Sequence, residues 1–411
     1  MLSITNSHLN DYLYFGYIPE LGSIKSILQL PNSINSILNK LSESSLIKKG
    51  GDILDFVFDE ELSKCANANH VIPISGGLDS RVILSSLLKR VDTSNIQLVT
   101  FGSPYTSDYE IPKKIAKKTG VSIDRINCVT LDYSIDNLVK SAQNGGSWTS
   151  VPDIFINRKV LEFKNNSNIW SGFIGDFIAG SYSHKGVDGK NIEHFCRNEN
   201  KSKNMRLSHK NYDPAKSLIT PPLASYKSGL TDYELITLYN RIPASTKPIL
   251  FPNNMNLITP LIHPDWVSFM LGIPKEYRKN SFLFKKIILN KNYDLDIPCK
   301  NNLGLKLYNN NRIAHLLAKA KIKSRLELSR LLRNYHVPPL GINYLYYPEA
   351  IRQNLSLKNA VEEACVSLSN RNVVPWLSPK KIFSDHLKRK SDYSEALLIL
   401  LGLEVNLRAE I

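Results

Sequence analysis

Apolar positions along this chain follow two rhythms. Between residues 70 and 170, short apolar runs alternate with stretches whose apolar positions recur every three or four residues. The runs at 71–74, 96–101, 121–126 and 168–170 predict strands. The stretches at 79–90, 111–119 (with a glycine stop at Gly120) and 135–142 predict helices. Alternation of this kind predicts an α/β fold: a parallel sheet flanked by helices on both faces. Upstream, residues 1–69 combine Tyr12, Tyr14 and Tyr17 with Leu- and Ile-rich helical patterns, and 42–45 and 48–51 read as a loop. Periodicity is lost over 183–226, where Lys, His, Asn and Ser dominate, so a loop-rich insertion is expected there. Helical patterns return from Thr231, broken at Pro243, Pro248, Pro252, Pro260 and Pro264, and 313–332 reads as a basic amphipathic helix ahead of Pro338-Pro339. The expected units are an N-terminal segment (1–69), the α/β region (70–305) and a basic, largely helical C-terminal region (306–411), with no internal repeat.

Composition narrows the class. With 411 residues, 42% of them hydrophobic and 22% charged, the chain can bury a sizeable core, which excludes global disorder. No apolar stretch approaches the ~20 residues of a membrane span. The start carries Asn, Asp and Glu without a basic leader, so the expectation is a soluble, cytoplasmic protein with no membrane partner. Cys65, Cys128, Cys196, Cys299 and Cys365 are scattered and form no C-x-x-C pair, which reads as reduced thiols. The net charge of +15 fits either a solvated basic surface or an anionic partner; without an aromatic-and-Arg signature or helix-turn-helix punctuation, nucleic acid is not the expected one.

One string carries the chemistry: His70-Val-Ile-Pro-Ile-Ser75-Gly76-Gly77-Leu78-Asp79-Ser80-Arg81. A strand enters a turn with two glycines, and a helix starts at once. Glycines let the backbone bring its N–H groups close to phosphate oxygens, and the helix N-terminus adds partial positive charge. Ser75 and Ser80 add hydroxyls. Asp79 makes sense beside phosphates with Mg²⁺ between them. The bland alternative is an ordinary strand–turn–helix capped by Asp79. No G-x-x-x-x-G-K-[ST] occurs, which excludes a Walker-type NTPase.

The Ser75–Ser80 string resembles the pyrophosphate loop of the N-type ATP pyrophosphatases, and more narrowly the synthetase domain of class B asparagine synthetases and their amide-forming relatives. Three other stretches are similar to that family: Val99-Thr-Phe101-Gly102 followed by Asp108 and Glu110; Ser171-Gly172-Phe-Ile-Gly-Asp176-Phe-Ile-Ala-Gly180-Ser-Tyr182; and Thr259-Pro-Leu-Ile-His263, Leu271-Gly-Ile-Pro274 and Lys285-Lys286. The likeness covers roughly residues 10–305. It implies an adenine nucleotide α-hydrolase-like (PP-loop ATPase) sheet with ATP and Mg²⁺ as cofactors. It also implies Asp79 and Asp176 as metal ligands, and a nucleotide site built from Ser75, Gly76, Gly77, Leu78, Asp79, Ser80, Val99, Phe101, Gly102 and Gly172. Lys285 or Lys286 then stabilises the leaving pyrophosphate. Lys285 is favoured, because after Phe282-Leu-Phe one helical face is apolar and the other carries the ammonium.

The departures alter the acceptor half. Leu2 stands where the family's glutaminase domain has its cysteine, so ammonia or a separate glutaminase is the expected nitrogen source. Phe173 replaces the family's Glu or Tyr and cannot transfer protons, Phe177 replaces an acid, and His263 replaces an Asp. His263 is therefore a candidate proton acceptor, weighed against a structural role. The resulting expectation is an ATP-dependent carbon–nitrogen ligase that adenylates a sugar-acid, peptide or other small carboxylate and forms an amide. The alternatives are another PP-loop enzyme, such as a tRNA-modifying one, and a non-catalytic nucleotide-binding partner in a biosynthetic complex.

Overall fold

A computed structural model describes residues 4–22, 28, 30–31, 38, 40–65, 68–159, 167–185, 190–250, 257–342 and 344–410. Leu2, Pro252 and part of the 183–226 insertion lie outside them. Four parallel strands, β1 (Asn69–Pro73), β2 (Ile96–Gly102), β3 (Ser122–Asn127) and β4 (Ser167–Ile169), form one sheet in the order β3-β2-β1-β4. His70 lies opposite Ile96 and Val71 opposite Ile169. Successive side chains alternate between faces: Ile72 and Leu98 join the larger core, while Val71, Val99 and Ile169 pack on the other side. Burial on both faces is why the central strands β1 and β2 read as apolar runs, whereas the edge strands β3 and β4 are only partly buried.

Helices α1 (Asn6–Phe15) and α2 (Glu43–Ser63) precede the sheet. Between and after its strands come α3 (Asp79–Leu87), α4 (Ser107–Thr119), α5 (Ile135–Gln143) and α6 (Val151–Arg158). The glycine stop behaves as expected: Gly120 has φ 71° and its N–H caps the Ala116 carbonyl. The expected 42–51 loop does not form. Ser42 is the N-cap of α2, its hydroxyl accepting from the Ser45 N–H, and the helix runs on through Gly50 and Gly51. These glycines serve contact rather than turning, since a Cβ on Gly50 would lie 2.4 Å from Ile287 Cδ1 and 2.7 Å from Phe269 Cε1. Within the insertion, Asn191–Glu199 is helical and buries Phe195 and Cys196.

The second large core does not follow the expected division into segments. It joins α1, α5 and α6 to the C-terminal helices Leu355–Asn370, Pro379–Leu387 and Ser394–Ala409. At its edge His386 is fully buried. Its Nε2–H donates to the Pro348 carbonyl at 3.1 Å, and its Nδ1 accepts the Tyr393 N–H at 3.1 Å. Burial, with the Arg352 guanidinium alongside, pushes its pKa down to about 4. The unfolded chain, with an ordinary histidine near 6.5, therefore takes up a proton that the native state refuses. Stability from this site is full above about pH 6.5 and is lost as pH falls toward about 4. Chemical denaturation across that window will show the slope, and His386→Gln will flatten it.

Among the described residues no helix is long and apolar enough to cross a membrane.

Candidate active site

The strand order places a topological switch beside β1: β2 and β3 extend the sheet to one side, β4 to the other. In open parallel sheets a crevice opens there, outside the carboxyl ends of the strands. The loops that enter it are the two singled out by sequence, 74–78 after β1 and 170–174 after β4.

The first loop is tightly braced. Ser80 Oγ accepts the Ser75 N–H at 3.2 Å, and Ser75 Oγ accepts the Gly77 N–H at 3.1 Å. Asp108 Oδ1, from the first turn of α4, accepts the Gly76 N–H at 3.0 Å, so a carboxylate oxygen already faces a backbone donor of the turn. Lys300 pairs with the same carboxylate at 2.5 Å, and its N–H donates to the Gly76 carbonyl at 2.9 Å. Arg81, fully buried, donates to the carbonyls of Gly76, Asp294, Ile297 and Pro298. That clamp is what brings Lys300 and Asn301 to the crevice.

The second loop delivers Asp176. Ile174 adopts φ 47°, a left-handed conformation that costs a β-branched residue of order 1–3 kcal/mol. It turns the chain into the short helix Gly175–Ile178, and the Asp176 N–H donates to Asp79 Oδ2 at 3.0 Å. Gly172 permits the approach, because a Cβ there would lie 2.7 Å from Asp79 Cβ. Gly175 is also pressed, with Asp79 Cγ 3.2 Å from its ideal Cβ position. Ser181 Oγ donates to Asp176 Oδ2 at 3.2 Å.

Burial raises the Asp79 carboxyl well above the usual carboxylate range, and the charge of Asp176 raises it further against the opposing Asp176 N–H. Asp176 is also raised, first by desolvation, although the Ser181 hydroxyl and Phe177 N–H pull the other way. Its exposed surface faces the crevice rather than bulk water. Among the described residues neither carboxylate takes part in an ion pair. Arg241 and Lys185 act on Asp176 from beyond ion-pair distance, and two neighbouring carboxylates outside any ion pair among the described residues make a donor set suited to a hard divalent ion.

Three adjoining cavities, of about 600, 380 and 170 Å³, share Asp79 and Asp176 in their walls. The largest runs along the glycine turn to Thr100, Phe101, Asp108, Lys300, Asn301 and Tyr344. The next is lined by Phe173, Phe177, Tyr182, Thr246 and Arg241, whose guanidinium donates to Tyr182 Oη at 3.2 Å. The smallest contains Lys285, whose ammonium donates to the Asn280 carbonyl at 2.9 Å. A hollow of about 730 Å³ lies elsewhere, by Tyr14, Cys196 and Asp213, and holds none of the motif residues.

Of the residues singled out by sequence, Ser75, Gly77, Leu78, Asp79, Ser80, Phe101, Gly172, Asp176 and Lys285 line these cavities, and Gly76 lies in the turn between them. Val99 and Gly102 do not line them; Val99 is fully buried in β2, where its carbonyl accepts the Ile74 N–H at 2.8 Å. Lys286 points away, over the Phe282 ring and 3.7 Å from Glu43. His263 is not brought to the crevice either. Its Nδ1 caps the helix Pro264–Gly272 by accepting the Asp265 N–H, and its Nε2 sits 3.1 Å from Glu60. Arg241, Lys300, Asn301 and Asn157 were missed by the sequence reading, and no motif marks them. No protein-family model matches this chain, and no curated protein does.

Proposed function

We propose that this chain is an ATP-dependent carbon–nitrogen ligase with a PP-loop type of nucleotide site, which activates a carboxylate and passes it to an amine. The observation that carries the reading is the meeting of Asp79 and Asp176 at the junction of three cavities, beneath a double-glycine turn at the sheet's carboxyl edge. The paired acids fit Mg²⁺, which when bound would screen phosphate charge. The turn supplies N–H donors aimed at anionic oxygen, as the Asp108 contact illustrates. The Lys300 ammonium, paired with Asp108 beside the turn, adds a cation to this end of the cavity. Adenine has a place along Phe101 and Thr100, in the largest cavity.

Lys285 suits the stabilisation of charge on departing pyrophosphate, because it shares a cavity with both aspartates and the first turn of α3. In the neighbouring cavity Phe173, Phe177 and Tyr182 offer apolar walls and Arg241 a fixed cation, an arrangement suited to a carboxylate with a bulky body. Phe173 and Phe177 hold no transferable proton, so the amine has to enter uncharged or lose its proton to another group.

The experiment is incubation with Mg²⁺-ATP, pooled sugar acids and peptides, and ammonia or glutamine, with and without cell extract. AMP, pyrophosphate and an amide product are expected; the appearance of neither AMP nor pyrophosphate overturns the reading. Lys285→Ala will lower kcat by about 10²–10³, whereas Lys286→Ala will leave it within about twofold, since the Lys286 ammonium faces Glu43. Equal effects at the two lysines would contradict the assignment of Lys285.

A further inference from the structure

The helix Arg312–Leu332 lies on the molecule with an unusual polarity. Over 21 residues only Ser329 is buried. The face toward the protein is formed by small, polar and half-buried positions such as Ala318, Ile322 and Arg325, the last of which donates to the Pro338 carbonyl. At 100° per residue, Ile313, Leu316, Leu317, Leu328 and Leu331 fall on the opposite side. They are exposed there, Leu316 by 65% and Leu331 by 79%. They form two groups at the helix ends, Ile313 with Leu316 and Leu317, and Leu328 with Leu331, with Ala320, Ser324 and Glu327 on the same side between them; an isolated exposed leucine needs no explanation, but a file of two such groups on one side of a helix does.

The flanks of this file are cationic. Arg312, Lys319, Lys323 and Arg330 border one side and Lys321 the other; Glu327, the single acid in the helix, lies within the apolar side and pairs with Arg330 at 2.9 Å. A second copy of the same face would bring like charges together, and the chain as a whole carries +15. Exposed apolar side chains bordered by Lys and Arg match the requirements of a helix lying in the plane of an anionic bilayer surface. Leucines enter the acyl boundary while ammonium and guanidinium groups meet lipid phosphates. We infer that Arg312–Leu332 docks this protein peripherally on membranes bearing anionic headgroups. The protein-facing side of the same helix is held in part by Arg325, whose guanidinium lies 5.7 Å from the Tyr105 ring ahead of α4.

Flotation of the full chain with vesicles tests this. Binding is expected to vesicles containing phosphatidylglycerol and not to pure phosphatidylcholine, and to weaken as salt is raised. Two variants separate the contributions. Leu317→Ser with Leu331→Ser removes apolar insertion, and Lys319→Glu with Lys323→Glu reverses charge; each should reduce the bound fraction at least about tenfold. All four side chains are exposed, so thermal melting should be unchanged. Absence of binding to anionic vesicles, or binding that neither pair alters, overturns the inference. Concentration-dependent dimers in sedimentation velocity, abolished by the leucine pair, would overturn it in favour of a second copy as the occupant.

Discussion

Asp176→Asn should bring AMP and pyrophosphate formation below about one-thousandth of the unaltered rate and leave the protein folded. The substitution preserves shape, and the backbone N–H that reaches Asp79 Oδ2 at 3.0 Å is untouched. What it removes is one of two charges in a pair that desolvation has already raised in pKa, Asp79 further by the charge of Asp176. An Asn side chain cannot supply the second anionic oxygen that a hard divalent ion requires. Calorimetric titration with ATP gives a readout independent of the acceptor: magnesium should strengthen nucleotide binding to the unaltered chain and not to the variant. Melting should occur at the same temperature or slightly higher without magnesium, because a like-charge contact is gone. Retention of magnesium-dependent binding by the variant would remove Asp176 from the metal site.

Glu234→Ala is expected to cost about 3–5 kcal/mol of stability, the usual loss when one partner of a buried ion pair is taken away. Glu234 is fully buried and accepts from Arg278 Nη2 at 2.7 Å and Nη1 at 3.2 Å; its carboxylate also closes a capping box with Thr231. Arg278 is 2% exposed and donates in addition to the carbonyls of Ile178 and Gly229. Its own carbonyl oxygen lies 2.3 Å from where a Cβ on Gly180 would sit, and Gly180 has φ 90°. The pair therefore holds the C-terminal end of the helix that carries Asp176. Urea denaturation measures the first effect. A second effect is loss of magnesium-dependent nucleotide binding below the unfolding transition, as the Ile178 end loosens. Replacing both partners, Glu234→Leu with Arg278→Met, should recover much of the stability without recovering that binding.

The strands and the turn between β1 and α3 were legible because their signals are local: apolar runs, a double glycine, a helix that begins at once. Lys285 could be distinguished from Lys286 by helical spacing, and the structure puts the two ammonium groups in different surroundings. Other parts are set by contacts distant in the chain. Gly50 and Gly51 look like breakers, and only the packing of α2 explains them, Gly50 against Phe269 and Ile287 and Gly51 against the Lys291 side chain. His263 was read as a possible acid–base group, but the local string His263-Pro264-Asp265 already contained a cap followed by a first-turn proline and acid. Lys300 and Asn301 reach the crevice through Arg81, which binds carbonyls more than two hundred positions away. No spacing rule encodes such a clamp.

Tyr12 of α1 packs directly against Gly402, where a Cβ would lie 2.2 Å from its hydroxyl oxygen. A helix made early is thus covered by one that follows it by about 390 positions. During synthesis the α1 face has to stay shielded by a chaperone or remain uncollapsed until Ser394–Ala409 has emerged. Nascent chains stalled ahead of that helix should therefore be open to protease at α1, even when the sheet and its crevice have already formed.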